Sequence, residues 1–181
     1  MTRMATHKIA CIGAGYWGKN LVRKFTDLGV LAWVCEVDPS TRAHLAAAYP
    51  TAQFTEAVDH VLADPEVAGV AITTPAETHS ELARRALLAG KDVLVEKPLS
   101  LSIEERRQLV ALACERQRVL MVGYLLWYHH AVLKLRELVE EGELGRIQYI
   151  YSHRLNLGSD TVGQPLSRFL IVQYKVLKGS D

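Results

Sequence analysis

Lys8 to Gly18 runs K-I-A-C-I-G-A-G-Y-W-G, a short apolar segment that stops at three glycines spaced G-x-G-x-x-G. Ile9, Ala10, Cys11 and Ile12 read as a strand buried on both faces, and the mixed stretch from Tyr16 to Leu28 reads as the helix after it. A glycine pattern between strand and helix is the setting a dinucleotide-binding turn requires. The three glycines serve different physical ends. Gly13 permits the tight turn, Gly15 lets a pyrophosphate approach the backbone, and Gly18 lets helix and strand pack closely. The amino end of the helix would offer N–H groups and partial positive charge to the phosphates. Tyr16 and Trp17, inside the turn, are counted with the glycines as cofactor-binding residues.

The 181 residues suffice for one complete domain and part of a second. A content of 49% hydrophobic and 23% charged residues points to an ordinary soluble globular protein. Lys and Arg total 21 against 20 Asp and Glu, and the basic residues are dispersed, which argues against nucleic acid or an acidic membrane as partner. The longest uncharged segment, Val119 to Leu133, contains Gly123 and two histidines and falls short of the roughly 20 residues a membrane helix needs. No signal peptide is read ahead of the first strand. Cys11, Cys35 and Cys114 show no C-x-x-C spacing, so buried reduced thiols are expected rather than a disulfide or a metal site, and a cytoplasmic location fits.

After the first helix, Gly29 is placed as its C-terminal cap and Val30 to Cys35 as a second strand. Glu36 and Asp38 follow. An acidic side chain here can accept from the adenosine ribose hydroxyls and repel the extra phosphate of NADP. Glu36 is the first candidate; Asp38 is the second, because Asp38-Pro39 also looks like a helix cap followed by proline at the first helical position. NAD is therefore expected in preference to NADP, although Arg42 lies close enough to leave NADP open. Further on, Gln53-Phe54 reads as a minimal strand and Thr55 as a helix cap, and Val67 to Thr73 as a buried strand ended by Pro75. Thr78-His79-Ser80-Glu81 reads as a capping box, which makes Thr73 to His79 a loop beside the glycine turn. Asp92 to Val95 is a strand running into Glu96-Lys97-Pro98, Ser102 to Glu105 a second capping box, and Val119 to Val122 a sixth strand. Strands alternating with helices imply a doubly wound parallel α/β sheet, a Rossmann-type fold, over residues 1–122.

Taken in order, G-A-G-Y-W-G, V-C-E-V-D-P, I-T-T-P-A-E-T-H and V-E-K-P-L-S resemble the glucose-fructose oxidoreductase and inositol dehydrogenase (Gfo/Idh/MocA) family over roughly Lys8 to Gly158. The resemblance implies an NAD(P)-dependent oxidoreductase in which Lys97 is catalytic, standing between nicotinamide and the sugar hydroxyl. It also implies that Pro98 shapes the Lys97 peptide and that Thr74, Pro75 and His79 border the nicotinamide, with Thr73 and Glu96 in the cofactor-binding set. A lysine at a central strand end is expected to be partly desolvated, which favours proton transfer, whereas its bland alternative is an ion pair with Glu96.

Residues 123–158 read as the start of a second α+β domain, with an amphipathic helix from Ala131 to Glu141 and a strand from Gln148 to Arg154. E-L-V-E-E-G-E-L-G-R-I and Y-S-H-R-L-N-L-G look like the branch of the family that acts as 3-dehydrogenases on UDP-linked N-acetylated sugars. On that basis Tyr124, His129, Arg154 and Asn156 are candidate substrate contacts and a homo-oligomer is expected of the full-length family. His129-His130 lacks a third ligand, so no metal is expected. Residues 159–181 form an atypical tail whose apolar run Phe169 to Leu177 suits a helix or a strand. The downstream His-Asp element and large sheet of the family are missing from the read sequence, and a truncated or frame-shifted reading is the economical explanation. The rival reading is a noncatalytic nucleotide-binding fragment or partner subunit.

Overall fold

The computed structural model describes residues 7–155 and 171–178, and the chain divides into two compact units, Met1–Tyr124 and Leu125–Asp181. In the first unit β1 (Lys8–Ile12), β2 (Leu31–Cys35), β3 (Gln53–Thr55), β4 (Val67–Ile72), β5 (Asp92–Val95) and β6 (Leu120–Val122) alternate with α1 (Gly18–Asp27), α2 (Pro39–Ala48), α3 (Val58–Ala63), α4 (Ala76–Leu88) and α5 (Ile103–Glu115). All pairings are parallel, in the order β3-β2-β1-β4-β5-β6. This is the doubly wound α/β sheet expected from the alternation. The chain winds outward from β1 to β3, then returns beside β1 and winds out the other way, so the carboxyl ends of β1 and β4 flank the point of reversal.

The sheet is buried on both faces because its strand residues alternate between two apolar layers. Cys11, Val34 and Ala71 pack with Val22 of α1 and Leu45 of α2. Ala10, Ile12, Val70, Ile72, Val93 and Val95 pack on the opposite side with Val61 of α3, Ala83, Ala86 and Leu87 of α4, and Leu109 and Ala113 of α5. At the amino edge, the buried Lys91 donates to the Asp64 and Val67 carbonyls at 2.6 and 2.7 Å, and desolvation holds its ammonium below the usual lysine range. Trp33 Nε1 donates to Asp64 Oδ2 at 2.7 Å and closes the same corner.

The helix ends follow local chemistry, with departures from expectation at Glu105, Thr55 and Thr78. Asp38 caps α2 by accepting from Thr41 N at 2.7 Å with Pro39 in the first turn, and Gly29 follows α1 at φ +69°. Ser102 caps α5, but Glu105 does not close the box. Its carboxylate instead accepts from the Ser100 hydroxyl, which itself receives Ser102 N at 3.0 Å. Thr55 is not a cap: Ala57 precedes α3, and the Thr55 hydroxyl accepts from Ala57 N at 3.0 Å from the end of β3. Nor does Thr78 open α4, which starts at Ala76 after Pro75. Proline's fixed φ suits the entry to a helix, so the chain turns helical earlier than the Thr-x-x-Glu pattern suggests and leaves a shorter loop.

Cys11 and Cys35 are buried, on opposite faces of the sheet, and burial pushes their thiols up to about 12 and about 11 respectively. Cys114 is exposed on α5, contrary to the expectation of three buried thiols, because it lies outside the face that buries Leu109 and Ala113. A thiol-directed disulfide reagent should therefore modify one cysteine in the native protein and three after denaturation. Rapid native labelling of Cys11 or Cys35 would contradict this packing.

In the second unit a short 3-10 turn (Leu125–Tyr128) precedes α6 (His130–Glu140), and β7 (Ile147–Leu155) pairs antiparallel with β8 (Ile171–Lys178). Of the run that suited either helix or strand, residues 171–177 lie in β8, and Phe169 and Leu170 are outside the described residues. No helix among the described residues is long and apolar enough to cross a membrane.

Candidate functional site

Five of the six parallel strands, β1, β2, β4, β5 and β6, pass one further ladder bond to the residue after their end, and those residues form a row along the carboxyl edge. Gly13 N donates to Cys35 O at 2.8 Å, Glu36 N to Thr55 O at 2.9 Å, Thr73 N to Ile12 O at 2.9 Å, Glu96 N to Ile72 O at 2.9 Å and Gly123 N to Val95 O at 2.8 Å. The glycine turn, the acidic residue of β2, the Thr-Thr-Pro segment and the Glu-Lys-Pro segment thus share one edge. Parallel register put them there, since each motif directly follows its strand.

The glycines divide their labour as their neighbours require. Gly13 has φ +85°, and a Cβ there would lie 2.9 Å from Thr74 Cγ2. A Cβ on Gly18 would lie 2.3 Å from Gly13 O and 2.5 Å from Thr73 Oγ1, so this glycine is required by packing. Among the described residues, chain neighbours aside, nothing stands within 4 Å of a Cβ built on Gly15, which leaves the space a pyrophosphate would fill. The amino end of α1 has no side-chain cap among the described residues and no acidic residue in its first turn. Trp17 Nε1 is buried without a hydrogen-bond partner among the described residues. Tyr16 is exposed, with Lys19 Nζ 5.6 Å from its ring centroid. Open space at Gly15, an uncapped helix end and an orphaned donor in the turn fit a bound dinucleotide diphosphate.

Glu36 is only 9% exposed, and its side chain bends back onto the turn. Oε2 accepts from Ala14 N at 2.7 Å and Oε1 from Asp38 N at 2.9 Å. Each oxygen has a second acceptor site, so the carboxylate can brace the turn and still receive a ribose hydroxyl. Asp38, the second candidate, is committed to its cap, and the Thr41 hydrogen bonds hold its carboxyl below the usual range. Arg42 is pinned as well: Nη1 donates to Glu36 O at 2.5 Å and Nη2 pairs with Glu56 Oε2 at 3.1 Å. The Ala14 amide and Glu56 carry no motif of their own, which is why the sequence does not single them out. Thr73, by contrast, is a sequence candidate, and its hydroxyl donates to Gly13 O at 2.6 Å, locking β4 to the turn.

Across the reversal, the Thr78 hydroxyl lies 2.7 Å from Thr74 Oγ1 and 2.8 Å from Pro75 O. His79 is buried, with Nδ1 2.7 Å from Pro98 O and Nε2 2.8 Å from Thr74 O. Its ring faces main chain, so it meets the crevice through Thr74 and Pro98. Glu96 Oε2 lies 3.3 Å from the Lys97 amide, and a Cβ on Gly123 would come 2.9 Å from Glu96 Oε1. The Lys97-Pro98 peptide is cis. Lys97 is exposed, and among the described residues its ammonium has no hydrogen-bond or ion-pair partner. The Glu96 ion pair does not form, and the partial desolvation expected of Lys97 is not met. The sheet stops at Glu96, and the described residues of the unit do not cover the side chain beyond it.

Tyr124 is exposed. His129 belongs to the second unit, where Nδ1 accepts from Ala131 N at 3.2 Å and caps α6. Arg154 lies in β7, and Asn156 is outside the described residues. No cluster of three potential metal ligands occurs among the described residues.

A doubly wound sheet with a G-x-G-x-x-G turn at its point of reversal, and an acidic residue bracing that turn, defines a dinucleotide-binding α/β protein. Residues 7–124 match the model of the Gfo/Idh/MocA oxidoreductase family, NAD-binding Rossmann fold, and the chain belongs to that family. UDP-N-acetylglucosamine 3-dehydrogenase of Acidithiobacillus ferrooxidans is 35% identical over 144 residues, covering 80% of this chain and 44% of that protein. Its solved structure superposes with a TM-score of 0.72 at 32% identity, over 82% of this chain and 45% of the other. GenD2 of gentamicin A biosynthesis, solved in complex with NAD, superposes with a TM-score of 0.74 at 34% identity, over 79% of this chain and 42% of that one. The 1,5-anhydro-D-fructose reductase of Ensifer adhaerens is 36% identical over 111 residues, 59% of this chain and 33% of that protein. The chain spans less than half the length of these curated relatives.

Proposed function

We propose that this chain carries the cofactor half of an NAD-linked dehydrogenase acting on a ring carbon of a sugar or nucleotide-linked sugar. The observation that carries the reading is Lys97: an exposed ammonium without a partner among the described residues, on the same sheet edge as the glycine turn. When bound, the nicotinamide supplies the hydride acceptor or donor. Gly13, Gly15 and Gly18 shape the turn for the diphosphate, and Glu36 receives the ribose hydroxyls. Thr74 and Pro75 border the nicotinamide end. Lys97 Nζ holds the substrate hydroxyl, stabilises negative charge as it develops there and relays its proton. Sugar-acting relatives support the substrate class, and Tyr124, His129, Arg154 and Asn156 are the proposed substrate contacts. Incubation with NAD and a panel of UDP-linked N-acetylated sugars, followed by reduced-nicotinamide absorbance, tests this reading. Turnover of none of them by the chain in its complete form would reject the nucleotide-sugar class.

NAD is the proposed cofactor rather than NADP. A 2′-phosphate would meet the Glu36 carboxylate, while Arg42 is already held by the Glu36 carbonyl and by Glu56. Titration against intrinsic fluorescence, with Trp17 in the turn as a reporter, should give at least about tenfold tighter binding of NAD, equivalent to roughly 1.4 kcal/mol. Equal or tighter NADP binding would overturn the assignment.

A further inference from the structure

His79 occupies a position that the strand ladder leaves vacant. Between β4 and β5 the last ladder bond is Glu96 N to Ile72 O at 2.9 Å. Past it the two chains diverge, one into Thr74-Pro75 and the other into Lys97-Pro98. The His79 ring, 1% exposed in the first turn of α4, bridges them, with Nδ1 on Pro98 O at 2.7 Å and Nε2 on Thr74 O at 2.8 Å. Carbonyl oxygens are acceptors only, and an imidazole with a single N–H can satisfy one of them. A ring with hydrogen on both nitrogens satisfies both, at lengths expected of good hydrogen bonds. Among the described residues the Lys97 amide has a 3.3 Å contact with Glu96 Oε2 of its own segment, and the ring, 2.7 Å from Pro98 O, ties that segment to the β4 lip.

We propose that His79 is a positioning residue, a two-point staple that sets the Lys97-Pro98 segment against Thr74-Pro75 and thereby places the Lys97 ammonium without touching substrate or cofactor. The consequence for turnover rests on the role given to Lys97 above; the staple itself does not. A phenylalanine at 79 fills the volume and donates nothing, while an asparagine reaches one carbonyl at most. Neither can span both.

The test uses the whole chain and three readouts. Long-range proton–nitrogen correlation spectra of the wild type should show hydrogen on both ring nitrogens of His79, protected from solvent exchange. His79→Phe should raise amide exchange in residues 97–101 and 74–76 by about tenfold while leaving β1 and α1 unchanged. Turnover of that variant should fall about tenfold or more with the NAD dissociation constant within about twofold, and this loss should vanish when Lys97→Ala is already present. A single hydrogen-bearing ring nitrogen would overturn the staple, as would exchange that rises uniformly over the unit, the result expected of a core-filling side chain. Should His79→Phe fail to fold, His79→Asn provides the exchange and turnover measurements, and the wild-type spectra decide the donor count without any variant. If Lys97→Ala alone retains full turnover, the proton-handling reading fails; the spectra and local exchange still decide the staple.

Discussion

Gly15→Val should abolish NAD binding and leave the fold intact, whereas Gly18→Val, three residues on, should damage the fold itself. The two glycines belong to one motif but face different surroundings. At Gly15 an added Cβ meets no atom of the described residues within 4 Å, its chain neighbours aside, so the fold should tolerate it, and the conflict expected is with a pyrophosphate drawn to the amino end of α1. At Gly18 the Cβ alone would stand 2.3 Å from a main-chain oxygen, and main chain cannot rotate away as a side chain can. Overpacking of this kind costs about 1–3 kcal/mol and occasionally more, and each kcal/mol lowers Tm by roughly 2–4 °C in a chain of this size. Isothermal titration with NAD and a thermal melt on both variants separate the cases. A Gly15→Val protein that still binds NAD with wild-type affinity would remove the turn from the cofactor site.

On the proposed function, Lys97→Ala should lower turnover about 100- to 10,000-fold in a dehydrogenase of the relatives' length that carries this segment, while changing the NAD dissociation constant little, since positioned acid–base groups typically contribute that much to the chemical step. The described structure explains why binding should survive. Among the described residues the Lys97 side chain braces nothing, whereas the segment that bears it is held through Glu96 N and the Pro98 carbonyl. Single-turnover rates with reduced or oxidised nicotinamide, measured beside direct cofactor titration, distinguish the two effects. Near-normal turnover with a weakened NAD affinity would make Lys97 a cofactor anchor.

Much of this is legible without any coordinates. Apolar runs ending in glycine or proline announce buried parallel strands, and the order of four short motifs places each at a strand end, where the structure has them. Those readings succeed because they rest on local properties: two-sided burial, the φ freedom of glycine, and the lost N–H of proline. They fail where two local signals compete. Thr78 has the sequence of a cap but sits inside α4, since Pro75 starts the helix first, and Thr55 likewise ends a strand.

By itself, then, the sequence determined the doubly wound sheet and singled out the glycine turn and the Glu-Lys-Pro segment as parts of the candidate site. Only the tertiary structure decided what the individual side chains in that site do. Glu36 reaches Ala14 across 22 residues of chain, Thr73 reaches Gly13 across 60, and His79 reaches Pro98 across 19. Each partner is a main-chain group without a sequence signature, and contact depends on the register of neighbouring parallel strands. That register is set by crossover helices packing on the two faces of the sheet, which pattern and propensity do not encode locally. The same reasoning separates two lysines at opposite ends of β5. Lys91 is buried and donates to two carbonyls, whereas Lys97 is exposed with its ammonium unclaimed by any described residue, and what surrounds each strand end makes that difference.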